Sequence, residues 1–247
     1  YCKVGKNIAE IVNNEMEIKL ELLSSPVNLK EETLTLSSIN NCRILLNGKA
    51  DFAISQNDVH IKIPNEDTIR QNHYGIRSVL PLYPEIFFVI YKSDLTPTSL
   101  KDLIVGKKVA MGPKDSGTAK LTKIIFQEFG IDTSQYKPQY VSFENNVLSD
   151  SIDICCLVTG FNNPIIEKSL MRNGKLYSIG SYQLADRGSA AEGFCLKYPL
   201  AKPYIIPKNT FGNIPKEPIL TIAIDAVLFA REDIKNEVVY NILRIIL

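Results

Sequence analysis

The sequence predicts an α/β protein in two lobes. Helical and extended stretches alternate along most of the 247 residues, the pattern of parallel sheets built from βαβ units. Two extended runs, Glu85–Lys92 and Ile219–Ala230, exceed the usual strand length of about five or six residues. Runs of that length suit segments that leave one sheet and enter a hinge, and two such crossings imply two lobes. The expected division is residues 1–92 with 218–247 in lobe 1, and 93–217 in lobe 2.

Each element follows from local pattern. Ile8, Ile11 and Val12 recur at helical spacing between Asn7 and Met16; Ile18–Leu23 then alternates apolar and polar residues up to the breaker Ser24-Ser25-Pro26, a strand. Ser37-Ser38 reads as the N-cap of a helix carrying Ile39, Cys42, Leu45 and Leu46 and ending at Asn47-Gly48, before a buried strand over Asp51–Ser55. Further along, helices are expected at Ser99–Val105, Ser116–Phe129 and Pro164–Met171, and strands at Lys108–Met111, Val141–Phe143, Ile152–Val158 and Leu176–Ile179. The last helix places Ile234, Val238, Ile242 and Ile245 on one face.

Composition narrows the function. Lys+Arg 28 against Asp+Glu 27 leaves a formal charge of +1, without the basic footprint that a nucleic-acid backbone requires. Apolar stretches such as Ile86–Tyr91 and Ala226–Ala230 fall well short of the roughly 18–20 residues of a spanning helix. Tyr1 opens directly into patterned sequence and the chain stops within an apolar pattern, so it reads as a trimmed fragment.

Catalysis finds no candidates. His60 and His73 are the only histidines and have no metal-ligand spacing, and no G-x-S-x-G elbow occurs. Asp150 and Asp153 read as part of a turn. Five cysteines, at 2, 42, 155, 156 and 195, include no C-x-x-C pair. Cys155-Cys156 lies in an apolar run where neighbours point to opposite faces, which favours packing over redox work. A disulfide between Cys2 and Cys42 is left open. No cofactor and no metal are expected.

Anion binding does have candidates. Gly112-Pro113-Lys114-Asp115-Ser116-Gly117-Thr118 has the two glycines of a P-loop, but position 118 is Thr where the phosphate-binding Lys belongs, so an ATPase reading fails. The Ser116-Gly117-Thr118 helix start still offers free N–H groups, hydroxyls and a positive dipole end to a carboxylate, or Ser116 only caps its helix. Ser37-Ser38-Ile39-Asn40-Asn41 is a second polar helix start, and Tyr1–Gly5 before the first helix is a third. Helix N-termini at the carboxyl ends of parallel strands face the crevice where ligands bind in α/β proteins.

Asn47-Gly48-Lys49-Ala50-Asp51-Phe52-Ala53-Ile54-Ser55-Gln56-Asn57-Asp58 resembles a signature of type II periplasmic binding proteins. Leu82-Tyr83-Pro84-Glu85, Ser99–Leu103, Gly106–Gly112 and Ser116-Gly117-Thr118 narrow the resemblance to the TAXI family, the TRAP-associated extracellular immunogenic proteins. Gly160-Phe161-Asn162-Asn163-Pro164, Ile206–Phe211 and Thr221–Val227 continue it in order along most of the chain.

The resemblance implies a two-lobed type II binding fold with two crossing hinge strands and an interlobe cleft. It implies a receptor that closes on a small carboxylate, an amino acid or dicarboxylate, and delivers it to the membrane permease subunits of a tripartite ATP-independent transporter, in the periplasm or another extracytoplasmic space. The expected ligand contacts are Tyr1, Gly5, Ser37, Ser38, Asn40 and Gln56 in the first lobe, and Ser116, Gly117, Thr118, Gly160 and Phe161 in the second. Tyr83 is also placed to pack the ligand, while Asp58 and Glu85 either join the site or serve the fold. The same fold as the sensing domain of a membrane receptor or sensor kinase is the alternative.

Overall fold

The computed structural model describes residues 2–15, 20–23, 27–29, 32–34, 37–58, 75–143, 148–180 and 190–247. The chain is a mixed α/β protein that divides into two compact units, Tyr1–Tyr83 with Ala226–Leu247, and Pro84–Asp225.

The first unit contains helix α1 (Cys2–Glu15), a hairpin of β1 (Val27–Leu29) and β2 (Glu32–Leu34), helix α2 (Ser38–Leu46) and strand β3 (Phe52–Gln56). The start of β4 (Ile76–Lys92), the end of β10 (Ile219–Arg231) and helix α7 (Asn236–Ile246) complete it. β3 runs antiparallel to β10, from Gln56 opposite Ala226 to Phe52 opposite Ala230. Strand alternation divides its apolar contacts between two faces. Ala226 and Leu228 join Ile54, with Val4, Ile8 and Tyr83 packed against them, while Val227 and Phe229 meet Leu45 of α2.

Two expectations fail in this unit. The first helix begins at Cys2 rather than Asn7, so Cys2–Gly5 is helix and not a turn. Leu20–Leu23 is not strand. The Asn13 side chain accepts the Leu20 N–H at 2.5 Å and donates to the Leu20 carbonyl at 3.0 Å, which holds the chain on the end of α1 and occupies the groups a sheet would use. The earlier part of that expected strand lies outside the described residues.

The second unit contains the rest of β4, helix α3 (Leu100–Ile104), β5 (Lys108–Ala110), helix α4 (Gly117–Glu128), β6 (Lys137–Gln139) and β7 (Ile154–Thr159). Helix α5 (Pro164–Met171), β8 (Gly174–Leu176), helix α6 (Ala190–Lys197), β9 (Ala201–Ile206) and the first part of β10 follow. The expected division placed 84–92 and 218–225 with the first lobe. Their strand partners place them here: Ile86–Tyr91 pair with β7, and Ile219–Ile224 pair with β9. Both long strands therefore change units partway along their length, at Tyr83–Pro84 and at Asp225–Ala226.

The sheet of this unit is mixed rather than parallel throughout. β6, β5 and β7 are parallel neighbours, whereas β4 is antiparallel to β7 and to β8, and β9 to β10. Both faces are covered, which is why β4 and β7 read as continuous apolar runs. Phe87, Val89, Val109, Ile154 and Cys156 pack with Leu121, Ile125 and Phe126 of α4; Ile86, Phe88, Ile90, Cys155 and Leu157 pack with Ile166 and Leu170 of α5.

β6 lies just before the expected Val141–Phe143, and α6 and β9 were not anticipated. β9 carries Pro203, which argues against a central strand. It pairs only with β10 among the described residues, and such an edge tolerates the missing donor.

Candidate functional site

The expected anion-binding segment of the second unit lies at the carboxyl ends of β5 and β7. These strands are parallel neighbours, with Val109 opposite Ile154 and Ala110 opposite Cys155. From β5 the chain enters α4 on one face and returns at β6; from β7 it enters α5 on the other face and returns at β8, beside β4. The two connections diverge, which creates a topological switch point, the position where open α/β sheets leave a crevice.

The α4 start fills this position. Gly112, at φ +73°, turns the chain away from β5, and a side chain there would meet the Phe143 ring at 3.0 Å and Ser116 Oγ at 3.1 Å. Ser116 caps α4, its Oγ accepting the Ala119 N–H at 3.1 Å. Thr118 Oγ1 accepts the Val158 N–H at 3.3 Å, satisfying a β7 donor where β5 has already ended. Both hydroxyls thus hold the loop in place. The first-turn N–H groups of Gly117 and Thr118 remain without an intrahelical acceptor, at the positive dipole end of α4.

The loop after β7 is fixed by Asn163. Its Nδ2 donates to Thr159 Oγ1 at 3.1 Å, and its Oδ1 caps α5 by accepting the Ile165 N–H at 3.1 Å. Gly160 lies in this loop. Phe161 points into an aromatic cluster with Phe88, Phe211 and Tyr204, at centroid distances of 5.8–6.1 Å, so its main contacts are with the core.

In the first unit the α2 start lies against the carboxyl end of β3. Ser37 Oγ accepts the Asn40 N–H at 3.3 Å, Ser55 Oγ donates to the Ser38 carbonyl at 2.7 Å, and Asn41 Nδ2 donates to the Ile54 carbonyl at 2.8 Å. These bonds bring Ser37, Ser38 and Asn40 to the end of the strand that carries Gln56, and Ser38, Asn40, Gln56 and Asp58 are all buried.

Other expected contacts fall elsewhere. Gly5 lies within α1, where a Cβ would stand 3.4 Å from Leu22 and 4.0 Å from Ile54, so it packs a helix and does not shape a binding turn. Tyr83 packs in the first unit's core, and Glu85 is buried on β4. Tyr1, His60 and His73 lie outside the described residues.

The titratable groups describe a packed scaffold. Burial pushes the Cys42 and Cys195 thiols up to about 11 and raises Cys155 and Cys156 further, which removes the thiolate that redox or nucleophilic work requires. Cys42 is a free thiol, without the disulfide left open above. Burial tends to raise the Asp153 pKa, but the Lys108 N–H at 2.9 Å and Lys92 at 3.2 Å outweigh it and hold the carboxyl below its ordinary value. Among the described residues, no group of His, Cys, Asp and Glu is arranged to hold a metal ion, and no helix is long and apolar enough to cross a membrane.

The model of the NMT1-like family matches residues 1–247. Among solved structures, the chain is similar to an alkanesulfonate-binding protein of Xanthomonas axonopodis pv. citri at 16% identity and TM-score 0.38, covering 57% of this chain and 46% of the other. It is similar to the periplasmic aliphatic sulphonate-binding protein of Escherichia coli at 13% and 0.40, covering 57% and 44%. An amino acid ABC transporter substrate-binding protein of Streptococcus pneumoniae, bound to L-arginine, matches at 17% and 0.47, covering 98% and 75%. The chain spans under half the length of the two sulfonate-binding proteins.

Proposed function

The chain belongs to the NMT1-like family, and on that premise we propose that it is a solute-binding receptor for a small carboxylate rather than an enzyme. The observation that carries the reading is the α4 start, which presents the N–H groups of Gly117 and Thr118 at the switch point between β5 and β7. Backbone donors and a helix dipole end suit a carboxylate without a cationic side chain. Ser116 and Gly160 are the second unit's further proposed contacts, and the α2 start of the first unit, with Ser37, Ser38, Asn40 and Gln56, is a polar helix start of the same kind. An amino acid or dicarboxylate is the ligand class.

The finer reading is the solute receptor of a tripartite ATP-independent transporter, working outside the cytoplasm with membrane permease subunits. It rests on the TAXI-like residues from Leu82 to Gly112, together with Ser116-Gly117-Thr118 and Gly160–Pro164.

A thermal-shift screen against amino acids, keto acids and dicarboxylates tests the proposal, because a ligand that binds only the folded state raises the midpoint. At a hundredfold excess over Kd the stabilisation is about 2.7 kcal/mol, or roughly 5–10 °C for a chain of this size. Ser116→Asp keeps a good N-cap but sets a negative charge in the anion seat. We expect one carboxylate to raise the wild-type midpoint and to lose its effect in Ser116→Asp. A screen without a hit, or a shift that survives Ser116→Asp, rejects the reading.

A further inference from the structure

A second pocket lies at the other end of β7, about 17 Å from Thr159 at the rise of an extended strand. It has a volume of about 360 Å³ and is formed where β4 ends, where the chain approaches β7, and where α5 stops. Its frame is pinned by backbone bonds: the Ser93 N–H donates to the Asn173 carbonyl at 2.9 Å, and the Lys92 N–H to the Asp153 carbonyl at 3.2 Å. Asn173 stands in the left-handed region at φ 61°, turning the chain sharply between α5 and β8.

The charges around the pocket do not neutralise one another. Arg172, Asp94 and Asp150 are exposed on its rim, and among the described residues no ion pair joins the guanidinium to either carboxylate. Lys92 is different, since its ammonium is 3.2 Å from Asp153. Ser93 and Ser149 add hydroxyls, and Leu148 is the only apolar residue in the lining. A lone carboxylate here meets two like charges, and a lone amine meets Arg172. Only a ligand with both signs has each charge answered.

We propose that this pocket binds a small zwitterion, its carboxylate on the Arg172 guanidinium and its ammonium on the Asp94 and Asp150 carboxylates. The volume suits a free amino acid, at the small end of ligand sites of about 300–1,000 Å³. The polar lining selects against large apolar side chains. Binding is weak, because solvent-exposed charge pairs contribute little each.

The test is an amide-resolved NMR titration of the full chain carrying Ser116→Asp, which blocks the carboxylate seat on α4 and keeps the two sites separable. The probes are L-alanine, acetate alone and methylamine alone. Saturable shifts at Ser93, Ser149 and Asn173 are expected with alanine and not with the single-charge probes. Arg172→Gln, and separately Asp94→Asn with Asp150→Asn, weaken the alanine response about two- to fivefold, as expected for exposed pairs. No response at these amides, an equal response to acetate, or a response indifferent to Arg172→Gln overturns the proposal. Because the rim side chains are exposed, these variants leave the core intact. Shifts confined to Gly117 and Thr118 would report the α4 seat and would also count against this pocket.

Discussion

The Thr118 hydroxyl joins the first turn of α4 to β7, accepting the Val158 N–H at 3.3 Å. This bond lies at the carboxyl ends of β5 and β7, and it relates the candidate anion seat directly to the sheet. Thr118→Val keeps the shape but leaves a buried donor unsatisfied, at a cost of about 1–3 kcal/mol. Thr118→Ser keeps the acceptor and most of the stability. Urea midpoints of the two variants distinguish these outcomes, and equal midpoints would remove the bond's structural role.

Two glycines of the second unit respond in opposite directions to alanine. At Gly174 a Cβ would stand 2.5 Å from the Ser169 carbonyl oxygen and 3.0 Å from Ile90, so Gly174→Ala forces backbone to move and costs about 2 kcal/mol or more. Gly193 lies inside α6 with nothing within 4 Å of its would-be Cβ. Gly193→Ala stabilises by about 0.5–1 kcal/mol through helix propensity. Thermal melts of both variants give the sign.

The thiols are expected to be inert in the folded protein. In a Cys2→Ser background, Ellman's reagent at mildly alkaline pH leaves Cys42, Cys155 and Cys156 unmodified and reacts slowly with half-buried Cys195. Unfolding in guanidinium exposes all four. Rapid native labelling of Cys155 or Cys156 would show that β7 opens readily.

Asp153 contributes stability that depends on pH. Its folded pKa lies below the ordinary 3.8, so the contribution is present above that value and is lost as pH falls through the folded pKa. With its side chain 28% exposed, Asp153→Asn costs about 1 kcal/mol at neutral pH after allowance for solvent screening. Denaturation curves at neutral pH and below pH 3.8 should show the difference between variant and wild type shrinking in acid.

Much of the architecture was legible in local pattern. The α2 and α4 caps at Ser37 and Ser116 appear where the polar starts indicated. The long runs around Ile86–Tyr91 and Ile219–Ala230 are strands, and Cys155 and Cys156 do enter opposite apolar clusters. These features depend on side-chain periodicity and on capping chemistry within a few residues. α6 was less legible because Ala190–Lys197 has little apolar periodicity, and β9 because its Pro203 reads as a breaker.

The sequence by itself determined most of the helices and strands, the starts of α2 and α4 at Ser37 and Ser116, and the buried runs of β4, β7 and β10, because these follow from one segment's own chemistry. Only the tertiary structure decided strand direction and partner, the units to which 84–92 and 218–225 belong, and the fates of Gly5 and Phe161. The reason is physical: pairing and packing depend on groups distant in the chain. Leu20 takes its hydrogen bonds from Asn13 rather than from a sheet, and Phe161 finds Phe88, Tyr204 and Phe211, through contacts that no local pattern encodes.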